Sequence, residues 1–449
     1  MEHCSRRSFL KTAGLGVLAL AGPLQARAAS RKPNVIIILT DDQGTLDVNC
    51  YGSGDLHTPN LDALALRGVR FSQFYVGASV CSPSRAALLT GRCPQRAEVP
   101  TNVGGENGLP PRQVTMAEMF RDAGYRTALF GKWHLGELPE MSPTAQGFDE
   151  FLGHKKGCID NYSHFFYWSG PNRHDMWQGG TEHWEDGNFF PDMVVREAAR
   201  YMEEHRDEPF FLYLPFNIPH YPLQGQAKYR AMYASLEEPR RSYAALVSTL
   251  DEKVGLVLGA LDRHGLRDDT IVVFLSDHGH SVEERTNFGG GNAGPYRGHK
   301  FTFWEGGLRV PCMVSWPGHI PEGEVRGQMA ISMDWLPTLA HYCGVEPPNH
   351  SLDGVNIAPL IASADAPSPH GALYWERDKQ WAVREGDWKL VINGPASTHN
   401  GKDMAAEETF LSNLADDPGE TNNLAAAHPD IVARLTELHE AWRIEVNNR

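Results

Sequence analysis

A chain of 449 residues that is 41% hydrophobic and 22% charged has an ordinary globular balance, with room for one large α/β domain and a smaller partner, or for two domains. Its formal net charge of −15 excludes a broad basic footprint for nucleic acid. No apolar run in it reaches the ~18–20 residues that a membrane-spanning helix needs.

Residues 1–28 read as a targeting segment. Arg6 and Arg7 precede the apolar run "AGLGVLALAG", and "ARA" at Ala26 to Ala28 offers small residues for cleavage. The arginine pair with Phe9, Leu10 and Lys11 resembles a twin-arginine signal. That implies a twin-arginine translocase as partner and a bacterial protein exported folded, to the periplasm or beyond. Arg6, Arg7, Lys11 and Arg27 against Glu2 give this segment +3, so the rest of the chain carries −18. An anionic substrate must then be drawn in by a local cluster of cations. The seven cysteines, Cys4, Cys50, Cys81, Cys93, Cys158, Cys312 and Cys343, form no CxxC pair. They make neither a disulfide scaffold nor a zinc module, and one or two disulfides stay open.

Four stretches share one plan, an apolar strand running into polar residues at its C-terminal end. They are "NVIIILTDDQG" (34–44), "RTALFGKWH" (126–134), "PFFLYLPFNIPHY" (209–221) and "DTIVVFLSDHG" (269–279). Such continuous runs suit strands buried on both faces, hence a large, mostly parallel α/β sheet flanked by helices. Helices are predicted between them: "TPNLDALALRG" (58–68) with Thr58 as N-cap, "TMAEMFRDAGY" (115–125) stopped by Gly124, and a long helix over 240–265 ending at Gly265. In "CSPSRAALLTGR" (81–92), Ser82 and Pro83 read as N-cap and first helical residue, with Cys81 just before them. "IASADAPSPHG" (361–371) looks like a linker. Beyond it come alternating antiparallel strands over 372–394 and an amphipathic helix over 428–446. The expected organisation is residues 1–28 as signal, 29–360 as the catalytic α/β domain and 361–449 as a small C-terminal α+β subdomain with an antiparallel sheet.

Open α/β sheets form their sites outside the carboxyl ends of the strands, where all four predicted strands here carry ionisable residues. Asp41 and Asp42, with Asp277 and His278, crowd carboxylates that repel unless a cation joins them. Oxygen-rich ligation suits Ca²⁺ or Mg²⁺, while the imidazole of His278 tilts the choice toward a transition metal. Alone, "TDD" reads equally as a capping or turn motif. A helix starting beside Cys81 offers orphan amides and a positive dipole end to an anion. Arg85, one turn in, is placed to approach the same anion bidentately. Lys132 and His134 share a side if their strand continues.

C-S-P-S-R followed by A-A-L-L-T-G-R resembles the signature of the type I, formylglycine-dependent sulfatases of the alkaline phosphatase superfamily. "NVIIILTDDQG", "TALFGKWHLG", "GFDEFLG", "SDHG", "RGHKFTFWEGGLRVP" and "DDPGETNNLA" resemble blocks of that family in family order. The resemblance implies that Cys81 is converted to formylglycine by a formylglycine-generating or other sulfatase-maturating enzyme. One hydroxyl of the hydrated aldehyde then attacks sulfur and releases the alcohol. The second loses its proton, and sulfate is eliminated as the aldehyde reforms. It further implies that Asp41, Asp42, Asp277, His278 and the modified Cys81 hold Ca²⁺. Arg85 and Lys132 orient the nucleophile, His134 takes the proton in elimination, and His220 and Lys300 contact the sulfate and help protonate the leaving oxygen. Many members carry Asn where His278 stands here.

The stretch 158–184 is dense in aromatics and histidines and suits a sugar ring. Candidate specificity residues are His154, Lys155, Asn161, His164, Arg173, His174, Asn292 and Arg297. The expected activity is hydrolysis of a sulfate ester, on a sulfated small molecule or glycan. The rivals are a phosphate mono- or diester hydrolase of the same superfamily and a non-catalytic glycan-binding relative.

Overall fold

The computed structural model describes residues 31–168 and 170–447; the expected targeting segment lies outside them. Five parallel strands form the centre of a ten-stranded sheet: β1 (Asn34–Asp41), β2 (Arg126–Lys132), β3 (Glu150–His154), β4 (Phe210–Pro219) and β5 (Thr270–Ser276), in spatial order β5-β1-β4-β2-β3. Short strands extend both edges, beginning with Cys312–Ser315, which pairs antiparallel with β5, and Trp177–Gln178, which pairs antiparallel with β3.

The pattern of β1 explains the layering. Val35, Ile37 and Leu39 enter one hydrophobic cluster, while Ile36 and Ile38 enter another on the opposite face. Both faces are dry, so the run is apolar throughout rather than alternating. Burying each such side chain contributes about 1.5–3 kcal/mol. Helices Pro59–Leu66, Phe190–Glu204 and Arg240–Arg263 cover one face. Helix α1 (Cys81–Thr90), with Met116–Asp122 and Trp335–Cys343, covers the other. The Met116 helix opens with a capping box between Thr115 and Glu118, and Gly124 follows it at φ 85°.

One sequence expectation is corrected. α1 begins at Cys81 with Val80 as N-cap, so Ser82 and Pro83 lie inside its first turn. Proline tolerates that turn because its missing N–H has no partner to lose there. Ser82 does not cap the helix: its Oγ accepts from the Val103 N–H at 3.2 Å, and its N–H donates to Asn102 Oδ1 at 3.0 Å. The sequence left disulfides open; Cys50, Cys81, Cys93, Cys158 and Cys312 are free thiols.

The C-terminal part forms a four-stranded antiparallel sheet of Ala372–Arg377, Gln380–Glu385, Trp388–Gly394 and Glu407–Asn413, followed by helix Pro429–Asn447. Leu373, Trp375, Ala382, Val391 and Phe410 of that sheet share one cluster with Tyr75, Ala87, Trp304 and Leu308. The sheet therefore packs behind α1 and the loop that carries Lys300. No described helix is long and apolar enough to cross a membrane.

Candidate active site

The parallel strands end at one level. Thr40 pairs with Ser276, Asp41 with Pro219, and Lys132 with His154. Asp41, Asp42, Lys132, His220, Asp277 and His278 therefore emerge at one sheet edge, where the N-terminus of α1 brings Cys81. Asp42 adopts φ 65°, a left-handed conformation that Asp tolerates better than most residues.

Asp41, Asp42, Cys81 and His278 each offer a ligand atom within 4.8 Å of the others, all four buried. His278 Nε2 lies 3.3 Å from Cys81 Sγ and 3.5 Å from Asp277 Oδ1. Its Nδ1 faces the Gly279 carbonyl at 3.0 Å. An Nδ1–H donated there leaves the Nε2 lone pair aimed into the cluster. Asp42 Oδ1 is buried and receives no well-formed hydrogen bond, although Lys300 Nζ lies 3.0 Å away. Burial, only partly offset by Lys300 and His278, pushes the Asp42 carboxyl up to about 8. A divalent cation fits this donor set. It would meet the unpartnered oxygen and relieve the carboxylate crowding.

Cations surround the cluster. Lys132 Nζ sits 2.6 Å from Asp41 Oδ2. Burial acts to raise Asp41, but Lys132, His220, Arg85 and Lys300 overcome it and hold the carboxyl well below its usual range. Burial likewise opposes the Cys81 thiolate, and Lys132 and Lys300 outweigh it, drawing the thiol down to about 6. The position is thus built to stabilise negative charge on the atom attached to Cβ of residue 81. His134 and His220 are held well below the usual imidazole range by burial, with Lys132 adding to the effect at both. Burial and the neighbouring cations thus favour the neutral form of both.

A cavity of about 410 Å³ opens above, within the ordinary range of ligand pockets. Cys81, His134, His220 and Lys300 line it. Arg85 and Lys132 lie beneath its floor. Arg85 does not present a free fork to an anion: Nε and Nη2 donate to Asp277 Oδ2 at 3.1 and 2.9 Å, and Nη1 to the Lys132 carbonyl at 3.0 Å. The expectation that Lys132 and His134 share a strand side is also corrected. β2 ends at Lys132, and His134 turns at φ 55° so that its ring reaches the cavity.

None of the eight candidate specificity residues lines the cavity. Arg297 is wholly buried, donating to Ser397 Oγ and to the Glu420 and Ala405 carbonyls with Trp304 against its guanidinium. Asn161 is buried and accepts from Asn217 Nδ2. His154 is buried beside Lys132, and Lys155 stacks its ammonium over Trp177 at 4.1 Å. Asn292 is exposed and caps Gly294, and Arg173 is exposed on a two-residue strand. His164 and His174 face each other away from the cavity. The walls come instead from Asn102, Glu137 with its ion-pair partner Lys156, Phe166, Trp168, Tyr221 and Glu283. Trp168 is clamped between Tyr221 and the Arg285 guanidinium, which lies 3.3 Å from its ring centre. The aromatic density of 158–184 pointed to Phe166 and Trp168; nothing local marked Asn102, Glu137 or Lys156.

The family model described as Sulfatase matches residues 33–345. The chain belongs to the sulfatase family. A second model, N-sulphoglucosamine sulphohydrolase, C-terminal, matches residues 296–443. Arylsulfatase A of Homo sapiens is 36% identical, covering 94% of this chain and 89% of that protein. N-acetylgalactosamine-6-sulfatase of Rattus norvegicus is 32% identical, covering 98% of this chain and 90% of its own. Among solved structures, Ps i-CgsB in complex with k-i-k-neocarrahexaose superposes with a TM-score of 0.81 at 30% identity, over 92% of this chain and 93% of that one. This sulfatase hydrolyses sulfate esters, and its alkaline phosphatase-like fold is the one expected from its sequence.

Proposed function

We propose that this sulfatase removes sulfate from a sulfated carbohydrate, that residue 81 works as formylglycine derived from Cys81, and that Asp41, Asp42, Asp277 and His278 hold Ca²⁺. One observation carries the reading: Cys81, His134, His220 and Lys300 converge on one cavity directly over the buried carboxylate cluster. The neocarrahexaose complex of the similar structure and the N-acetylgalactosamine-6-sulfatase relative support a sugar, as do the Phe166, Trp168 and Tyr221 rings in the cavity wall.

The modified residue supplies a hydrated-aldehyde oxygen as nucleophile, and the cation supplies positive charge beside the sulfuryl oxygens. In the structure, Cys81 Sγ stands where the hydrated-aldehyde oxygens of residue 81 would be. Lys132, fixed on Asp41, keeps the nucleophilic position electropositive without entering the cavity. Lys300, between Asp42 and Glu283 at 3.0 and 3.2 Å, presents its ammonium to the sulfate. His220 Nε2 lies 3.7 Å from Asp42 Oδ2, and its Nδ1 faces the Tyr221 carbonyl at 2.8 Å, which turns the ring toward the sulfate, while the Lys300 ammonium is the group that carries a proton for the leaving oxygen. His134 is neutral and ready to accept the proton released from residue 81. Fixed charges of this kind favour the transition state because they need no reorganisation.

Residues 361–449 are read as a buttress for the catalytic part, residues 29–360. Residues 1–28 are read as a twin-arginine signal sending the enzyme to the periplasm or outside the cell, and a maturating enzyme as its partner before export. The test is sulfate release from defined sulfated mono- and oligosaccharides by native enzyme and Cys81→Ala, with peptide mass measured at position 81. Native enzyme is expected to show the aldehyde and release sulfate, and Cys81→Ala to do neither. An unmodified thiol in fully active enzyme overturns the formylglycine reading. Faster turnover of p-nitrophenyl phosphate than of any sulfate ester overturns the substrate reading.

A further inference from the structure

We propose that His164, His174 and Asp186 form a second metal site, for a divalent transition ion of the Zn²⁺ class, outside the catalytic cluster. One ligand atom from each lies within 4.8 Å of the other two. His164 Nδ1 and His174 Nε2 lie 3.8 and 3.7 Å from Asp186 Oδ1. These separations are too long for hydrogen bonds. They are close to the ~3.3 Å between donors that share one tetrahedral ion at ~2.0–2.1 Å.

Both nitrogens are buried and without a hydrogen-bond partner among the described residues. The His164 and His174 side chains are 0% and 2% exposed. Leaving two buried imidazole nitrogens unmatched is costly, and their placement toward one carboxylate oxygen gives the cost a purpose. The opposite ring nitrogens fix the required tautomers. His164 Nε2 faces the Asn188 carbonyl at 3.0 Å, and His174 Nδ1 faces Glu182 Oε1 at 3.0 Å. An N–H donated on each of those sides leaves a lone pair on each inner nitrogen. A carboxylate or carbonyl behind a histidine is the usual outer support of a metal-bound imidazole.

The backbone brings the three together by design of the loop. Strand Phe165–Phe166 pairs with Arg173–His174, placing Phe165 opposite His174. His164 sits at φ 59°, a conformation that a non-glycine residue seldom adopts unless its surroundings hold it. The Gly187 N–H donates to the Tyr162 carbonyl at 2.8 Å, carrying Asp186 to the same place. Trp184 stacks flat on His174 at 3.7 Å and closes one side. Asp186 is half exposed, which gives an ion its entry path and leaves room for a water as fourth ligand. Two imidazoles and one carboxylate suit zinc and its neighbours rather than calcium.

The consequence is mechanical. Phe166 and Trp168, in the segment pinned between His164 and His174, line the substrate cavity. An ion here clips that wall in place without touching the reacting atoms.

The test uses full-length enzyme saturated with Ca²⁺, titrated with Co²⁺ while visible absorption is read, with Zn²⁺ as competitor. One equivalent of Co²⁺ is expected to give a low-symmetry ligand-field band that Zn²⁺ displaces. His174→Ala is expected to lose it, and Asp186→Asn to weaken it. Glu182→Gln is expected to weaken binding by about 10- to 100-fold through loss of support behind His174. Asp186 is half exposed, so Asp186→Asn decides the matter should His174→Ala fail to fold. No uptake by the wild type, or uptake unchanged in Asp186→Asn, overturns the proposal.

Discussion

Arg85 and Asp277 hold each other at the bottom of the active site, two guanidinium nitrogens on one carboxylate oxygen, with both side chains at most 1% exposed. The same guanidinium ties down the Lys132 carbonyl. Arg85 is thus a positioning residue, joining the β5 end to the β2 end through α1. Removing it strands a buried carboxylate. Arg85→Ala is expected to lower stability by about 3–5 kcal/mol in denaturant titration. Arg85→Lys keeps the charge but not the fork, so the protein folds while turnover falls by about 10²-fold from misplacement of Asp277 and Lys132. Wild-type turnover in Arg85→Lys would show that the fork has no positioning role.

Gly157 tests His134 without touching it. A Cβ at residue 157 would meet His134 Cε1 at 2.9 Å and Nε2 at 3.1 Å. The ring must move. Gly157→Ala is expected to reduce kcat by about 10-fold or more, as displacement of a catalytic group does, with little change in KM or thermal midpoint. A kcat equal to that of wild type would place the reacting proton elsewhere.

Buried neutral histidines set the acid limit of stability. His280 is pushed down to about 3 by burial, with His299 and Arg240 adding to it. Burial also holds His134 and His154 well below their usual range. Each unfolded imidazole binds a proton below pH ~6.5, whereas the folded one does not, so unfolding takes up protons. Stability is complete above that pH and is lost as pH falls toward 3, by up to about 1.4 kcal/mol per pH unit for each histidine. Urea midpoints at pH 7.5 and 5.5 measure this slope. His280→Gln is expected to flatten it; an unchanged slope would remove His280 from the account.

The strand ends were legible because chemistry and periodicity coincide there. β1 is apolar on both faces up to Asp41, and β5 up to Ser276. The start of α1 lies two residues before the expected one because Pro83 is compatible with any position in a first turn. The specificity residues were not legible. The 158–188 loop has no period that says which side chains face in; His164 and His174 turn toward each other, and Asn161 toward Asn217. Asn102, Glu137 and Lys156 reach the cavity from separate loops, so only the fold unites them.

Lys389 links the C-terminal sheet to the segment that follows Lys300. Fully buried, it lies 2.8 Å from Glu305 Oε1 and 3.0 Å from Glu420 Oε1. Glu420 Oε2 accepts from the Glu305 N–H at 2.6 Å, and Glu305 Oε2 accepts from the Tyr75 hydroxyl at 2.6 Å. Burial works against ionised Glu305, but Lys389, Arg384 and Arg309 overcome it and hold it down to about 2. Burial pushes Glu420 up to about 7, Lys389 offsetting only part of it. One ammonium therefore serves two carboxylates, and Glu305 opens the helical turn that follows Lys300 and Phe301. Lys389→Met leaves both acids without that partner and is expected to cost about 3–5 kcal/mol. Adding Glu420→Gln removes the charge that Lys389 was holding and is expected to recover part of the loss, with a coupling of about 0.5–3 kcal/mol between the two changes. KM is expected to rise in Lys389→Met more than kcat falls, because the loop positions Lys300, the residue proposed to bind the sulfate. Purely additive stabilities would show that the three groups do not act as one network.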